Sequence, residues 1–400
     1  MSNNLLQKIF FIQKIIDEKE FTRININLLG LKIKFKTLNK IENCVAIVDC
    51  GGIGDYMICR PYFKYLKESP KFKDCNFIYL CKDAYQDMVK TYDNDVFKDV
   101  ITYDEDYKAT KKALKKFKIH TLINLFSLSR GNNFRGWLTR HNLIKNLKIK
   151  RKIADVTIET NDDLKNPNLK IFNEFIVTKN KPFELERRRQ FFEKVAETSI
   201  PHISKQITPI IDFSKEYICI SLFTGYKKRN YDESKWIEVL NYLIENISQD
   251  TQLLFLGSNN DKNNIQQILN KLNNSSHCIN FAGISNISLV PSILKNAKLL
   301  IALETGTVHI AESVNCPTIC ITCGAHYGRF LPYNNQNISY VFPDKFEDLL
   351  IEKNKDILDT FYQANWTYKV KDIPSEKIIK EIDKFLASAP HQALVNAERV

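Results

Sequence analysis

Short apolar runs alternate with longer segments of helical periodicity along most of the chain. In the first half, apolar runs at residues 45–48, 77–80, 100–103 and 121–125 are separated by segments in which apolar residues recur every three or four positions. Runs of four to eight apolar residues are typical of buried strands, and their alternation with helical segments is typical of a parallel sheet with helices on its faces. The pattern therefore predicts an α/β domain.

The second half repeats this pattern. Strand-like runs are predicted at residues 217–222, 252–256, 278–280, 299–302 and 318–322, and helices at 234–245, 261–272, 288–296 and from Val308 onwards. A second doubly wound domain is therefore expected.

Domain boundaries follow from changes in this pattern. Residues 200–209 are polar and contain two prolines, which predicts a linker and a boundary near residue 205, although a short run at 210–212 can belong to either side. The N-terminal extension is expected to be a short helix followed by a strand pair. The predicted segments are this extension, a first domain, a second domain and a tail without pattern, at residues 1–40, 41–205, 206–386 and 387–400.

Composition excludes several classes of protein. With 44% hydrophobic and 26% charged residues among 400, the chain has the composition of a globular protein with a sizeable core. Its ten cysteines are scattered through mostly apolar segments, which argues against a disulfide scaffold. The sequence shows neither a basic leader with a small-residue cleavage site nor a run of 18 apolar residues, so a cytoplasmic protein without a membrane-spanning segment is expected.

The net charge of +12 is concentrated in the first half of the chain. Residues 1–200 carry 38 Lys and Arg against 25 Asp and Glu, whereas residues 201–400 carry 20 against 21. Residues 107–154 alone contain 14 basic residues and no acidic one. A field of this sign favours a phosphate-rich partner or an anionic membrane surface.

The first candidate site follows the strand predicted at residues 45–48. Gly51, Gly52 and Gly54 precede Asp55 at the start of a helical segment. Glycines allow the backbone to approach a ligand closely, and a helix N-terminus favours an anion. The segment lacks both the Lys-Ser/Thr of a P-loop and the third glycine of the dinucleotide fingerprint. Asp55 is therefore either a catalytic carboxylate at the carboxyl edge of the sheet or only a helix cap.

The second candidate site follows the strand predicted at residues 217–222. The loop after this strand carries Lys227, Lys228 and Arg229. Three cations at the carboxyl end of a strand suit a pyrophosphate, which Arg can bind with two hydrogen bonds. A solvated surface run of charge is the alternative.

The third candidate site follows the strand predicted at residues 299–302. Glu304 and the turn 305–307 precede a helix, whose N-terminal amides offer a second anion site. His309 can donate to a phosphate or pack in the core, and Glu304 can accept from ribose hydroxyls or hold the turn. A later loop with Arg329 is expected to face the same crevice.

In this order, the three motifs resemble those of the bacterial heptosyltransferases of glycosyltransferase family 9, enzymes of lipopolysaccharide synthesis. The resemblance covers about residues 44–340. The family's Gly-Asp pair followed by a proline is matched by Gly54, Asp55 and Pro61. Its basic residue before an aromatic residue and a helical Trp is matched by Arg229, Tyr231 and Trp236. Its Asp-Ser/Thr-Gly-x-x-His-x-Ala signature is matched by residues 304–311, with Glu304 in place of the usual Asp.

The resemblance implies a GT-B fold, in which two Rossmann-like domains face a central cleft with the acceptor on the first and the nucleotide sugar on the second. It implies that Asp55, on its glycine loop, is the general base. The residues predicted to bind the donor diphosphate are Arg229, Lys228, Thr305, Gly306, Thr307 and His309. Those predicted to contact the nucleoside and sugar are Thr224, Gly257 and Glu304. Those predicted to contact the acceptor are Arg60, Lys112, Arg130 and Arg135.

The implied activity is inverting transfer of heptose or a related sugar from a nucleoside diphosphate, ADP-heptose being one candidate, to a lipopolysaccharide or surface-glycan acceptor at the inner-membrane surface. No metal or other cofactor is expected, because the Asp-Glu-Asp at residues 104–106 does not lie between strands. Glu304 and the lysine-rich loop depart from the family pattern, so the sugar is left open. The alternatives are a basic nucleic-acid-binding protein and a non-catalytic GT-B scaffold.

Overall fold

The computed structural model describes most of the chain, at residues 10–16, 21–28, 31–38, 40–49, 51–103, 107–125, 144–145, 147–157, 170–178, 182–203, 207–209, 217–362 and 365–397. The predicted acceptor residues Arg130 and Arg135, the acidic residues 104–106 and the short run 210–212 lie outside these described residues.

A small antiparallel sheet precedes the first domain. Its strands pair in the order β1 (Phe10–Ile16), β2 (Phe21–Leu28) and β3 (Leu31–Leu38). The hairpin β2–β3 lies where the sequence predicts a strand pair. Residues 10–16, however, form a strand in the segment expected to begin with a helix. This strand is rich in Phe and Ile, and aromatic and β-branched residues favour strands.

Two sheets of six parallel strands form the rest of the fold. The first sheet has the order β6-β5-β4-β7-β8-β9, and the second has the order β12-β11-β10-β13-β14-β15. The first contains β4 (Ile41–Val48), β5 (Asn76–Cys81), β6 (Phe97–Thr102), β7 (Phe117–Asn124), β8 (Arg151–Thr157) and β9 (Glu174–Thr178). The second contains β10 (Tyr217–Ser221), β11 (Gln252–Phe255), β12 (Cys278–Asn280), β13 (Leu299–Leu303), β14 (Thr318–Ile321) and β15 (Ile338–Val341). The predicted architecture of two doubly wound α/β domains is confirmed.

Helices connect these strands and cover the faces of both sheets. They are α1 (Ile53–Glu68), α2 (Gln86–Tyr92), α3 (Tyr107–Leu114), α4 (Glu184–Ala196), α5 (Glu233–Asn246), α6 (Lys262–Leu269), α7 (Val290–Lys295), α8 (Gly306–Ser313), α9 (Asp344–Glu352), α10 (Lys355–Phe361) and α11 (Ser375–Ala397). Because the central strands are covered on both faces, they are apolar throughout rather than at alternate positions: residues 44–48 of β4 are fully buried.

The C-terminal helix is longer than the sequence pattern indicates. Helix α11 continues to Ala397 and so includes residues 387–397, where a tail without pattern is expected from the sequence. Ala, Leu and Gln in this stretch have high helix propensity, and the helix continues through Pro390, which lacks a backbone N–H donor.

The order of the strands places the candidate motifs at equivalent points of the two sheets. Strand β4 lies between β5 and β7, and β10 lies between β11 and β13, so that successive connections leave the first strand of each domain on opposite sides. At such a point a crevice opens beyond the carboxyl ends of the strands. The glycine loop (residues 51–54) follows β4, the basic loop (residues 224–229) follows β10, and the turn 305–307 follows β13.

The two domains share one apolar cluster. Helix α1 of the first domain contacts helix α8 of the second, and the cluster includes buried Met57 on α1 together with Val308 and Ile310 on α8. Side chains from both domains therefore pack around this pair of helices, which both begin at candidate motifs.

Candidate active site

The first candidate site is the glycine loop, residues 51–54, which leads from β4 into α1. The Gly52 amide donates a hydrogen bond of 2.8 Å to Asp55 Oδ2, so Asp55 caps its own helix. Gly51 has no room for a side chain, because a Cβ there would lie 2.3 Å from Asp55 Cβ. Within the described part of the chain, Asp55 Oδ1 accepts no hydrogen bond. Capping therefore leaves one carboxylate oxygen available to a substrate.

The glycine loop contacts the second domain directly. A Cβ on Gly306 would lie 2.0 Å from Ile53 Cγ2, and a Cβ on Gly54 would lie 2.6 Å from His309 Cδ2. Ordinary contacts between carbon atoms are about 3.5–4.0 Å, so both positions require glycine. The loop that carries Asp55 and the turn that begins α8 therefore lie side by side.

The turn after β13 begins helix α8. Thr305 is the N-cap, and its hydroxyl oxygen accepts a hydrogen bond of 3.3 Å from the Thr307 amide. Glu304, just before the turn, is 8% exposed, and its Oε2 accepts a hydrogen bond of 2.5 Å from the Thr322 hydroxyl. Burial raises the pKa of Glu304, while the Thr322 bond and the charge of Arg229 act in the opposite direction.

Arg229 lies between an acidic and an aromatic side chain. Its Nη1 is 3.9 Å from Glu304 Oε1, and its guanidinium carbon is 5.4 Å from the centre of the Trp366 ring. Among the described residues, the buried Nε of Arg229 has no hydrogen-bond partner. Because buried N–H groups are normally paired, the unpaired Nε of Arg229 is available to a further hydrogen-bond acceptor. Binding of the donor diphosphate by Arg229 stays a prediction.

The loop that carries Arg229 is closed by its own polar groups. The Thr224 amide donates a hydrogen bond of 2.9 Å to Asn230 Oδ1, and the Thr224 hydroxyl donates one of 2.7 Å to the Tyr226 carbonyl. The side chains of Lys227 and Lys228 are exposed. Thr224 therefore fixes the path of the loop, and the two lysines place positive charge on its surface.

A comparison with protein families identifies the chain. The model of glycosyltransferase family 9 (heptosyltransferase) matches residues 146–346, which include the basic loop and the turn 305–307. The chain belongs to glycosyltransferase family 9. It is therefore a glycosyltransferase, which favours the enzyme over the nucleic-acid-binding and scaffold alternatives. No curated protein sequence matches the chain.

Solved structures that include family 9 enzymes share the fold of this chain. The family 9 glycosyl transferase from Veillonella parvula DSM 2008 is 12% identical, with a TM-score of 0.62 over 86% of this chain and 97% of that chain. The E. coli ADP-heptose lps heptosyltransferase II is 13% identical, with a TM-score of 0.60 over 86% and 99%. The E. coli heptosyltransferase WaaC with ADP is 14% identical, with a TM-score of 0.58 over 85% and 97%. These similarities confirm the GT-B fold.

Arg60 and Lys112 are the two predicted acceptor contacts that lie in the described part of this family 9 chain. The side chain of Arg60 is 17% exposed; its Nε is 3.1 Å from Asp93 Oδ1, and its Nη2 donates a hydrogen bond of 3.0 Å to the Tyr92 carbonyl. Lys112 is exposed on helix α3. Arg60 is thus held in an internal ion pair, whereas Lys112 is open to solvent, and acceptor contact stays a prediction for both.

Gly257 and His309 of the family 9 enzyme make packing contacts in the second domain. A Cβ on Gly257 would lie 3.1 Å from both Asp261 Cβ and Ile265 Cδ1. His309 is 8% exposed, and its Nδ1 shares a hydrogen bond with the Tyr333 hydroxyl. These contacts favour the packing alternative for His309, and the donor contacts of both residues stay predictions.

A cluster of five buried charged residues joins the two domains of this family 9 enzyme, and the motifs did not indicate it. Arg187 donates hydrogen bonds of 2.5 Å to both Asp155 and Glu184. Arg188 Nη1 donates one of 2.9 Å to Asp155. Arg329, from the second domain, donates one of 3.0 Å to Glu184. Arg329 is 5% exposed and belongs to this cluster, because a buried carboxylate such as Glu184 requires cationic partners. That its loop faces the crevice stays a prediction.

Three further observations concern metals, thiols and membranes. Within the described ranges, no group of three or more His, Cys, Asp or Glu side chains is placed to hold a metal ion. All of the cysteines that the structure describes, including Cys320 and Cys323, are free thiols. No helix in the part of the chain that the structure covers combines the length and apolarity needed to cross a membrane.

Proposed function

We propose that this family 9 enzyme transfers a sugar, with inversion, from a nucleoside diphosphate to a hydroxyl group of a phosphorylated glycan or glycolipid. One juxtaposition carries the proposal: the loop with Asp55 in the first domain lies against the turn 305–307 of the second, whose preceding residue Glu304 faces Arg229. A carboxylate on one side of a cleft, with a cation and a helix N-terminus on the other, suits a displacement that releases a proton to one side and a diphosphate to the other.

The reaction proceeds in one step. Asp55 removes the proton of the acceptor hydroxyl while the hydroxyl oxygen attacks the anomeric carbon of the donor. The bond between that carbon and the diphosphate oxygen breaks at the same time, on the opposite face of the sugar, so the configuration inverts. Arg229, Lys228 and the amides of residues 305–307 stabilise the negative charge that grows on the leaving diphosphate. Because these groups supply the positive charge, the proposed step includes no metal ion.

The donor is a nucleoside diphosphate sugar of the heptose type. Two of the solved relatives are an ADP-heptose lps heptosyltransferase and a heptosyltransferase with ADP-2-deoxy-2-fluoro heptose. In this chain, Tyr226 and Trp366 lie beside the Arg229 loop with ring centres 5.9 Å apart, and such rings can stack on a base or on the apolar face of a sugar. Glu304 differs from the Asp usual in the family, so the sugar itself is to be decided by experiment.

The acceptor brings negative charge. Helix α3 and the turn after it expose Lys111, Lys112, Lys115 and Lys116 on the first domain. Each cation near an anionic membrane contributes about 1 kcal/mol of attraction, so four together supply about 4 kcal/mol. We therefore place the enzyme at the periphery of the inner membrane, where it meets a phosphorylated glycolipid.

The first experiment tests the donor. Thermal unfolding of the purified protein is measured with ADP, GDP, UDP and CDP and their sugars, with Mg²⁺ and with EDTA. We expect a rise in Tm with ADP or ADP-heptose that EDTA does not reduce. A rise that requires Mg²⁺ contradicts metal independence, and no rise with any nucleotide contradicts the proposed donor site.

The second experiment tests the general base. Asp55→Asn keeps a capping oxygen but cannot accept the proton, so transfer is expected to slow by about 100-fold or more while donor binding is retained. Asp74→Asn, at an exposed position of the same domain, is the matched control and should leave the rate unchanged. Normal transfer by Asp55→Asn would show that Asp55 is only a helix cap.

A further inference from the structure

A second carboxylate lies at the base of the glycine loop. Asp49 directly follows β4 and is 2% exposed. Its amide donates a hydrogen bond of 2.9 Å to the Leu80 carbonyl, which fixes its backbone to the neighbouring strand β5. The sequence motifs did not single out Asp49, and it lies outside residues 146–346, which match the family model.

Two tyrosines from neighbouring strands of the sheet bind Asp49. The Tyr79 hydroxyl, on β5, donates a hydrogen bond of 2.6 Å to Asp49 Oδ2, and the Tyr103 hydroxyl, just after β6, donates one of 2.6 Å to the Asp49 carbonyl. Burial raises the pKa of the Tyr79 hydroxyl, which therefore stays a donor. The carboxylate of Asp49 is thus held from the side of the sheet.

The other oxygen of the carboxylate binds the glycine loop. Asp49 Oδ1 accepts a hydrogen bond of 2.8 Å from the Gly51 amide. Gly51 in turn lies directly on the Asp55 side chain, since a Cβ on Gly51 would be 2.4 Å from Asp55 Oδ2. One continuous set of contacts therefore runs from Tyr79 through Asp49 and Gly51 to Asp55.

The two carboxylates also influence each other electrostatically. Burial is the main reason why the pKa of Asp49 is raised, and the negative charge of Asp55 raises it further. Burying a second acidic group this close to the first is unfavourable. The two hydrogen bonds to the Asp49 carboxylate, from Tyr79 and Gly51, and the positive charge of Arg188 offset that cost. Such an arrangement is typical of a site that holds a catalytic group in one geometry.

We infer that Asp49 is a positioning residue for Asp55: it holds the Gly51 amide and so keeps the Asp55 carboxylate beside the turn 305–307. This inference rests on the proposed function, in which Asp55 is the general base. A displacement of the glycine loop by about 1 Å would misalign the reacting groups and lower the rate of transfer by about 100-fold. In the proposed function the donor binds the second domain, so the donor KM is expected to be independent of Asp49.

The test compares kcat and the donor KM in three variants. Asp49→Ala removes both hydrogen bonds of the carboxylate and is expected to lower kcat by about 100-fold with the donor KM unchanged. Asp49→Asn keeps an acceptor for Gly51, and its amide can donate to the Tyr79 oxygen, so it should recover kcat to within about tenfold of the wild type. Tyr79→Phe retains the Asp49 carboxylate but removes the hydrogen bond to its Oδ2, and kcat is expected to fall by about three- to tenfold.

Ser69→Ala is the stability control. Ser69 is 3% exposed and donates a hydrogen bond of 2.8 Å to the Leu66 carbonyl at the other end of α1, so its loss should lower Tm without lowering kcat. If Asp49→Ala and Tyr79→Phe keep wild-type kcat while Asp55→Asn does not, the inference is wrong and the proposed function stands. If Asp49→Ala instead raises the donor KM at constant kcat, the positioning role is also wrong. If Asp55→Asn itself transfers sugar at the wild-type rate, Asp55 is not the general base, and the inference about Asp49 is wrong with it.

Discussion

The substitution Gly306→Ala tests the contact between the two domains. A Cβ at residue 306 would lie 2.0 Å from Ile53 Cγ2 and 3.4 Å from the Gly54 amide nitrogen. Because an ordinary contact needs about 3.5 Å, the two carbon atoms must separate by about 1.5 Å, and the nitrogen leaves no room on the other side. Ile53 has little freedom to rotate away, since a β-branched side chain has few χ1 rotamers.

The expected loss follows from this displacement. A misplacement of about 1 Å costs about 100-fold in rate, so kcat/KM for the donor should fall by about 100-fold, which equals about 2.7 kcal/mol. Helix propensity alone predicts that the variant is more stable than the wild type, because Ala is about 0.5–1 kcal/mol more favourable than Gly in a helix. Initial rates over a range of donor concentrations measure the first effect, and thermal unfolding measures the second.

Two further variants decide between strain at this contact and a general effect of alanine. Gly225→Ala, at a position where a Cβ would meet nothing within 4 Å, is expected to change kcat/KM by less than about threefold. The double variant Gly306→Ala/Ile53→Ala removes the Cγ2 atom that the new Cβ would meet, and at least about tenfold of the lost activity should return. Wild-type activity in Gly306→Ala, or a loss that Ile53→Ala does not relieve, would refute this account of the interface.

Three other predictions concern groups away from this contact. Trp366→Leu removes the ring that lies 5.4 Å from the Arg229 guanidinium carbon. Because a cation–π contact is worth about 0.5–2 kcal/mol, the donor KM should rise by about 2- to 30-fold. An unchanged KM in steady-state rates would contradict a role of the ring in orienting Arg229. Arg329→Met removes a cationic partner of buried Glu184 and should cost about 3–5 kcal/mol of unfolding free energy, measured by urea denaturation, whereas a cost below about 1 kcal/mol would show that the remaining arginines suffice. Burial raises the pKa of Asp93 from 3.8 to about 6, against the opposing charge of Arg60. The folded state therefore binds this proton more tightly than the unfolded chain. The protonated carboxyl contributes about 3 kcal/mol to the free energy of unfolding below about pH 4, and this contribution is lost as the pH rises through about 6. Asp93→Asn should make the slope shallower in denaturation curves from pH 4 to 7, although Asp49 and Glu304, whose pKa values are also raised by burial, still contribute to it. An unchanged slope would assign it to those groups.

The apolar pattern predicted the central strands and missed β8 and β9 of the first sheet and β15 of the second. Strand β4 is covered by helices on both faces, so its residues are apolar throughout and stand out in the sequence. Strands β8 and β9 were not predicted, because they carry charged residues that pair only in the folded chain. Arg151 on β8 donates hydrogen bonds of 2.6 and 2.5 Å to Glu174 on β9, and Asp155 on β8 is bound by arginines of α4. Such partners are distant in sequence and leave no local signal.

In the candidate site, too, the sequence indicates the residues that have a local signal and not those whose partners are distant along the chain. Asp55, Arg229 and the turn 305–307 follow strands and begin helices or loops, so their spacing and the neighbouring glycines are enough to indicate them. The residues that orient them do not stand out in this way. Trp366 lies more than a hundred residues from Arg229 along the chain, and the two tyrosines that hold Asp49 lie on β5 and directly after β6.

The close fit between the glycine loop and the turn that begins α8 has a consequence for engineering. Acceptor and donor preferences of a two-domain transferase can in principle be combined by joining the first domain of one enzyme to the second domain of another. In this chain, Ile53 of the first domain occupies the space that any side chain at residue 306 of the second would need. Glu184 and Arg329 form a second pair across the same boundary. A chimaera should therefore take both members of each pair from one parent, and hybrids that mix them are expected to express as folded but misaligned enzymes.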